Sequence, residues 1–199
     1  MKSTSIVIVG LLVVSLGLFG CVSQPSSQDW VTLIDADKGL ENWSRVGDGN
    51  WRAVDGVIQV DSRTQKGASY LVTKNDYADF QIRVEFWFDE KSNSGIYIRC
   101  SDVNKIADTN CYEAQISDTR PDGFSTGAIV HIAKVSPPVP KAAGQWSVYE
   151  ITAKGDQLTV VLNGVKTAEA RDSKFKSGPL ALQYAAGVVK FRKVQIRPL

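Results

Sequence analysis

The fold is decided by residues 80–88, which read Phe-Gln-Ile-Arg-Val-Glu-Phe-Trp-Phe (FQIRVEFWF). Apolar side chains occupy every second position of this stretch, starting at Phe80 and ending at Phe88. Successive side chains of a β-strand point to opposite faces. The alternation therefore predicts a nine-residue strand that buries one face in a core.

The same period-two pattern recurs on both sides of this stretch. Trp51 to Val60 predicts two short strands around Asp55-Gly56, and Gln157 to Ala170 predicts two more around Asn163-Gly164, because both dipeptides favour tight hairpin turns. Further strands are predicted at Trp146–Ala153, Gly178–Gln183 and Val188–Arg197, the last with a bulge after Phe191. No long stretch has a helical period. The sequence therefore predicts an all-β fold, a two-sheet antiparallel β-sandwich or jelly roll.

The overall composition excludes several functional classes. The 199 residues contain 23 Lys and Arg against 21 Asp and Glu, which gives a formal net charge of +2. A nucleic-acid-binding protein would need a clustered basic surface, and so weak a charge argues against one. One histidine and three cysteines cannot supply a Cys/His zinc framework. His131 has no serine-elbow or cysteine-nucleophile motif near it, so a Ser-His-Asp triad is not supported either.

The N-terminal residues predict export. After Lys2, an uncharged run of 15 residues extends from Ile6 to Gly20, which is short for a membrane span and typical of a signal peptide. It ends in Gly20-Cys21, which resembles the bacterial lipoprotein box, whose cysteine is acylated. We expect residues 1–20 to be a signal peptide, 21–28 a lipidated tether and 29–199 one domain. The protein would then be anchored to the bacterial cell envelope through Cys21. The alternative is an ordinary secretory signal.

Export also affects how the other two cysteines are interpreted. Cys100 follows the predicted strand Ile96–Arg99, and Cys111 precedes the predicted strand Tyr112–Ile116. Disulfides persist in an oxidising compartment, so we expect a Cys100–Cys111 bridge that closes the polar loop between two neighbouring strands. The alternative is a pair of free, buried thiols.

The polar positions of three consecutive strands predict a ligand-binding face. If the apolar positions face the core, the other side carries carboxylates, guanidinium groups, an amide and aromatic rings. These residues are Gln81, Arg83, Glu85, Trp87, Gly95, Tyr97, Arg99, Glu113, Gln115 and Ser117. Such a surface suits a sugar, whose C–H faces stack on aromatic rings while its hydroxyls bond to charged and amide groups. The alternative is a solvated sheet face with cross-strand ion pairs.

Ordered segments from Trp30 to Leu199 resemble one known family, the 3-keto-disaccharide hydrolase domain, a concanavalin-A-like jelly roll. The segments include Asn50-Trp51, Asp55–Ile58, Leu71–Lys74, Asp79–Glu85, Asn93–Arg99, Tyr112–Ile116, Thr126–Ile129, Gly144–Trp146, Leu162–Val165, Gly178–Gln183 and Val189–Arg197. The resemblance implies a substrate oxidised to a ketone at C3 of the sugar. A base would remove the C2 proton, the C1 substituent would leave, and water would add back.

The resemblance also implies roles for particular side chains. Glu113 is the first candidate for the base and Glu85 the second, while Arg99 would stabilise the developing oxyanion. The remaining candidates would bind substrate: Gln115, Tyr97, Trp87, Arg83, Lys141 and Gln183. Some members of the family use a divalent metal, for which the sequence locates no ligands. Relatives often carry Asp or His in the stretch that is Tyr184-Ala185-Ala186-Gly187 here. Two alternatives remain, a non-catalytic carbohydrate-binding lipoprotein and a structural envelope protein.

Overall fold

The computed structural model describes residues 29–199, which form thirteen β-strands and one short 3₁₀ helix, Leu40–Asn42. One sheet contains β1 (Val31–Asp35), β3 (Arg52–Val54), β4 (Val57–Val60), β6 (Phe80–Phe88), β9 (Ser147–Lys154), β10 (Gln157–Leu162), β11 (Val165–Arg171) and β13 (Val189–Pro198). The other contains β2 (Trp43–Val46), β5 (Ser69–Thr73), β7 (Ser94–Ile98), β8 (Tyr112–Ile116) and β12 (Ala181–Tyr184).

The two sheets are antiparallel throughout and form a sandwich. The eight-stranded sheet has the order β11-β10-β9-β6-β13-β4-β3, and β1 pairs with the part of β13 that β4 leaves open. The five-stranded sheet has the order β2-β5-β12-β7-β8. This architecture confirms the predicted all-β jelly roll. The predicted bulge is also present, as a register shift between Phe191 and Lys193 where β13 pairs with β6.

The core lies between the sheets and is built from the alternating positions that the sequence indicated. The five alternating apolar side chains of β6, from Phe80 to Phe88, are completely buried. Phe86 packs against Tyr149 of β9 with ring centroids 4.7 Å apart, and Trp51 packs against Phe191 of β13 at 6.1 Å. Each such side chain contributes roughly 1.5–3 kcal/mol when it leaves water. Residues 29–199 therefore contain both sheets and a complete core of their own.

The two sheets differ in how their outer faces are covered. Burial alternates along β6, β9 and β10, so the outer face of the eight-stranded sheet meets solvent. Every residue of β5, β7, β8 and β12 is buried. Loops must therefore cover the outer face of the five-stranded sheet, and this difference determines where a protected site can form.

The predicted signal peptide, the tether and the lipidation of Cys21 lie outside the described residues and stay predictions. Within residues 29–199, no helix has the length and apolar character needed to cross a membrane.

Candidate functional site

The outer face of the five-stranded sheet carries a second apolar cluster, separate from the core. Strand alternation places this cluster opposite the core-facing side chains Leu71, Ile96 and Leu182. Its members are Tyr70, Val72, Tyr97, Cys100, Ile106, Cys111 and Ala181. Ile106 comes from the loop that joins β7 to β8 and is only 7% exposed. That loop therefore folds back over the sheet face.

A disulfide between Cys100 and Cys111 closes this loop, which confirms the predicted bridge. The two Cα atoms lie 4.2 Å apart, at the ends of the neighbouring strands β7 and β8. The bridge joins the two ends of the ten-residue loop between the cysteines. It therefore restricts the positions that Ile106 can occupy. We refer to residues 101–110 as the disulfide loop.

Glu113 lies on this covered face, on the edge strand β8 of the five-stranded sheet, directly opposite Tyr97 of β7. The residue is only 3% exposed. Burial raises the pKa of its carboxyl from 4.5 to about 7, because a charged carboxylate loses its hydration there. The Tyr97 hydroxyl and the positive charge of Arg120 partly oppose this rise in the pKa, whereas Asp108 adds to it. A carboxyl with a pKa near neutrality can accept and return a proton at physiological pH.

Tyr97 is positioned to donate a hydrogen bond to Glu113. Its hydroxyl oxygen accepts a hydrogen bond from Gln183 Nε2 at 2.9 Å, which leaves the hydroxyl hydrogen for the neighbouring carboxylate. The Tyr97 ring packs edge to face against the Tyr70 ring, with ring centroids 5.5 Å apart. Burial and the nearby charge of Glu113 raise the pKa of Tyr97, so its phenol stays protonated across the physiological range.

Gly95, which pairs with Gln115 across β7 and β8, leaves the space that the Glu113 side chain occupies. The Glu113 carboxylate leans over this glycine: a Cβ at position 95 would lie 2.6 Å from Glu113 Oε1. Two amide atoms of this face, Gln115 Nε2 and Gln183 Oε1, are buried and have no hydrogen-bond partner in residues 29–199. Buried polar atoms of this kind are rare in stable cores, and both atoms are free to bond to a ligand or a water molecule.

Arg120 and Tyr70 belong to this site but were not among the candidates that the sequence provided. Arg120 is held by Asp122, through Nε–Oδ1 at 3.1 Å and Nη2–Oδ2 at 2.5 Å. The charged stretch Arg-Pro-Asp-Gly at 120–123 begins four residues after the strand of Glu113 ends, and this nearness in sequence was the only signal for Arg120. Tyr70 gave no such signal, because its strand β5 is far from Tyr97 in sequence.

Comparison with family models identifies the chain. The model of the 3-keto-alpha-glucoside-1,2-lyase-like domain matches residues 29–197, which covers the whole described sandwich. The chain belongs to this family. The expected family resemblance is thereby confirmed. Comparison with curated proteins gave no significant match.

Solved structures share the fold of this 3-keto-alpha-glucoside-1,2-lyase-like domain. A candidate glycosyl hydrolase from Parabacteroides distasonis is 20% identical with a TM-score of 0.70, over 85% of this chain and 94% of its own. A carbohydrate-binding module of family CBM66 from Bacillus subtilis is 19% identical with a TM-score of 0.61, over 78% and 95%. Porphyranase B from Zobellia galactanivorans is 12% identical with a TM-score of 0.56, over 90% and 96%. At these identities the likeness establishes the fold alone.

Three of the predicted site residues lie on the wrong side of the sandwich. Arg83, Glu85 and Trp87 belong to β6 of the eight-stranded sheet, whereas Glu113 belongs to the five-stranded sheet. Glu85 pairs with Arg192 at 2.6 Å, and Arg83 pairs with Glu150. The single face predicted from consecutive strands is therefore wrong. The chain changes sheets between β6 and β7, so the outward sides of these two strands face opposite directions.

Arg99 also lies apart from Glu113, which corrects the prediction that it stabilises an oxyanion there. It follows β7 with a left-handed φ of 52°, which breaks the alternation and turns its side chain away from the covered face. The guanidinium is 1% exposed and pairs with Asp79 at 3.0 Å. It also donates to three backbone carbonyls, those of Ala78, Gly155 and Phe175. Arg99 therefore joins loops and is buried away from the covered face.

Lys141 and the 184–187 stretch lie at the margins of the site. Lys141 is exposed and lines a cavity of about 310 Å³ with Glu90, Asp118 and Thr119, just beyond the end of β8. The Tyr184 side chain packs in the core and donates to the Gly187 carbonyl at 3.2 Å. The stretch that carries Asp or His in relatives therefore contributes no ionisable side chain to the covered face.

The donor set does not fit a bound metal ion. In residues 29–199, no group of three or more His, Cys, Asp and Glu side chains comes together in a way that could hold one. The nearest combination is Asp108 with His131, at 3.0 Å, and His131 is exposed at the edge of the covering loops. No step of the chemistry proposed for this site therefore depends on a metal ion.

Proposed function

We propose that this protein cleaves 3-keto-glycosides by elimination followed by hydration, with Glu113 as the base. The observation that carries the proposal is a buried carboxyl with a pKa of about 7, next to a protonated tyrosine and two unpartnered amide atoms. Membership of the 3-keto-alpha-glucoside-1,2-lyase-like family supports this choice of substrate.

The first stage uses Glu113 in its charged form. Its carboxylate removes the C2 proton, which the C3 ketone has made acidic, and the electron pair of that C–H bond forms an enolate. Collapse of the enolate breaks the bond between C1 and its substituent, which leaves with the proton that Glu113 returns. The products are an alcohol and an unsaturated 3-keto-sugar. A base with a pKa near the working pH serves such a step well.

The second stage adds water across the new double bond. The oxygen of water bonds to C1 and a proton returns to C2, so the sum of both stages is hydrolysis to a free 3-keto-sugar.

During the first stage, negative charge develops on the C3 oxygen. The phenol of Tyr97 and the guanidinium of Arg120 supply donors and positive charge in a region of low dielectric, where such contacts are strong. The unpartnered atoms Gln115 Nε2 and Gln183 Oε1 would bond to ring hydroxyls.

The loops over the site must move for the reaction to occur. Since Glu113 is 3% exposed, a sugar reaches it only after the covering segments open. The disulfide loop keeps Ile106 over the Tyr97 end of the face. The loop after β8, which carries Arg120, is held by no covalent bridge. We therefore assign the entrance to the Arg120 side.

The decisive experiment incubates the purified protein with a 3-keto-disaccharide and, separately, with the unoxidised disaccharide. Release of free 3-keto-glucose from the first substrate alone, abolished by Glu113→Gln, supports the proposal. Equal cleavage of both sugars would contradict it, because the elimination requires the ketone.

Carbohydrate binding without cleavage is a second candidate function. It is favoured by the fold shared with a carbohydrate-binding module, because the unpartnered amides and Tyr97 would hold a sugar without any proton transfer. Saturable sugar binding without turnover, retained by Glu113→Gln, would favour this candidate.

We also propose that the protein is exported and held at the bacterial envelope by a lipid on Cys21. The motif at Gly20-Cys21 and the preceding uncharged run support this location. The mass of the mature protein tests it: an acylated N-terminal Cys21, lost in Cys21→Ala, is the expected result. A mature chain that retains residues 1–20 would contradict it.

A further inference from the structure

The outer face of the eight-stranded sheet has a pattern that the proposed sugar chemistry does not use. Three of the five tryptophans lie there, each next to a cationic side chain, while Trp43 and Trp51 are buried. The contacts, measured from the cation to the ring centroid, are Trp30 with Arg83 at 5.4 Å and Arg197 at 4.8 Å, Trp87 with Lys190 at 4.8 Å, and Trp146 with Arg192 at 4.4 Å.

Positive charge is in excess on this face. Glu85 and Glu150 are the acidic side chains of β6 and β9 there, and each is already paired with an arginine. Lys154, Lys190 and Arg197 make no ion pair with any residue in the range 29–199. We call the set Trp30, Arg83, Trp87, Trp146, Lys154, Lys190, Arg192 and Arg197 the basic tryptophan face.

The chain enters the domain from this same face. Trp30 directly precedes β1, and its ring lies between Arg83 and Arg197 on the outer side of the sheet. Eight residues lie between Cys21 and Trp30, so nine Cα–Cα steps join them. Even a fully extended chain of that length reaches only about 30 Å. A lipid on Cys21 would therefore hold the domain close to the bilayer, with its attachment point on the basic tryptophan face.

We propose that the basic tryptophan face lies on the anionic surface of the membrane that holds the anchor. This inference rests on the proposed lipidation of Cys21 and is independent of the sugar chemistry. Tryptophan favours the headgroup region, where its apolar ring and its N–H are both accommodated. Lysine and arginine near an anionic surface each strengthen binding by roughly fivefold. The Glu113 site, on the other sheet, then faces away from the bilayer and toward soluble substrate.

The first test measures binding of residues 29–199 to phosphatidylcholine vesicles prepared with and without phosphatidylglycerol. We expect binding only to the anionic vesicles, with an affinity that falls as salt is added. The variant Lys154→Glu/Lys190→Glu should weaken it by about thirtyfold or more, since two favourable charges are lost. The matched control Lys66→Glu/Lys74→Glu changes the net charge equally on loops beside the other sheet, and should bind as the unaltered domain does.

Several results would overturn the proposal. They are the absence of vesicle binding, equal binding to neutral vesicles, or equal losses in the two double variants. Binding to a soluble acidic polysaccharide such as alginate without vesicle binding would assign the face to a polymer instead. Turnover of a soluble 3-keto-disaccharide should be the same in both double variants, so failure here is distinguishable from failure of the proposed chemistry.

A second test uses the full chain held in the same anionic vesicles by its N-terminal segment. A membrane-impermeant lysine reagent should label Lys190 several times more slowly than Lys66, as read by mass spectrometry. Equal labelling rates of the two lysines would show that the face is not in contact with the surface, and would refute the proposal.

Discussion

Replacing Glu113 by glutamine should make the protein more stable above neutral pH. The carboxyl has a pKa of about 7 in the folded state against an ordinary value of 4.5. Between these two values the folded state retains a proton that the unfolded state has released, so stability falls as the pH rises. The pKa difference corresponds to roughly 3 kcal/mol at 1.36 kcal/mol for each pH unit. Glutamine keeps the shape and removes the buried charge.

The assay is urea unfolding of the unaltered protein and the variant at several pH values. Below about pH 4.5 the carboxyl is protonated in both states, so the pH-dependent part of the difference in unfolding free energy vanishes. Between about pH 4.5 and pH 8, the unfolding free energy of the variant should rise by about 3 kcal/mol relative to that of the unaltered protein. The same variant should lose turnover of a 3-keto-disaccharide by roughly 10²–10⁴-fold, the usual contribution of a general base. Gain of stability with loss of activity identifies a functional charge.

Glu85→Gln is the control, because Glu85 is partly exposed and paired with Arg192 on the opposite sheet. It should leave turnover unchanged and should show no comparable pH-dependent gain in stability. If Glu113→Gln destabilises the protein equally at pH 5 and pH 8, the Glu113 carboxyl is not the buried proton acceptor described above. Loss of turnover in Glu85→Gln with none in Glu113→Gln would likewise refute the site.

Four further predictions test other parts of the structure. Turnover by the unaltered protein should rise tenfold per pH unit below about pH 7 and level off above it, because Glu113 acts as its carboxylate. Gly95→Ala should lower turnover at least about tenfold, since its Cβ would displace a carboxylate oxygen only 2.6 Å away. Arg99→Ala should cost about 3–5 kcal/mol of unfolding free energy through loss of the hydrogen bonds that its buried guanidinium makes, with turnover of the folded fraction unchanged. Cys100→Ser/Cys111→Ser should lower stability by about 3 kcal/mol by releasing the disulfide loop.

The contradicting results differ for each change. Turnover that falls as pH rises through 7 would require Glu113 to act as an acid in the limiting step. Full activity in Gly95→Ala would place the reacting carboxylate elsewhere. Loss of turnover in folded Arg99→Ala, measured by active-site titration, would show that Arg99 takes part in the reaction. Unaltered unfolding of the cysteine variant under oxidising conditions would show that the bridge does not constrain the unfolded chain.

The strands could be predicted because their signal is local. Phe80–Phe88 and the Asp55-Gly56 and Asn163-Gly164 turns each carry their pattern within a few residues, and the structure places strands and hairpins there. The bulge after Phe191 was likewise visible as a change of parity, and the disulfide followed from two cysteines at the ends of neighbouring strands.

The composition of the site could be predicted only in part. Glu113, Tyr97, Gln115 and Gln183 do come together on one covered face, though their roles stay predictions. Glu85 and Trp87 have the same alternation and equally suitable side chains, yet they face the other way. A strand pattern tells which side chains share a face of that strand, and contains no information on which sheet the strand joins.

The sequence by itself therefore determined the class of fold, the family and a candidate base at Glu113. It could do so because alternation, turn chemistry and motif order are properties of neighbouring residues. The tertiary structure alone decided that Arg99 joins loops, that Arg120 and Tyr70 enter the site, and that Glu113 lies buried with a raised pKa. Those facts depend on the change of sheet between β6 and β7 and on loops folding over the five-stranded sheet, which bring together residues distant in sequence.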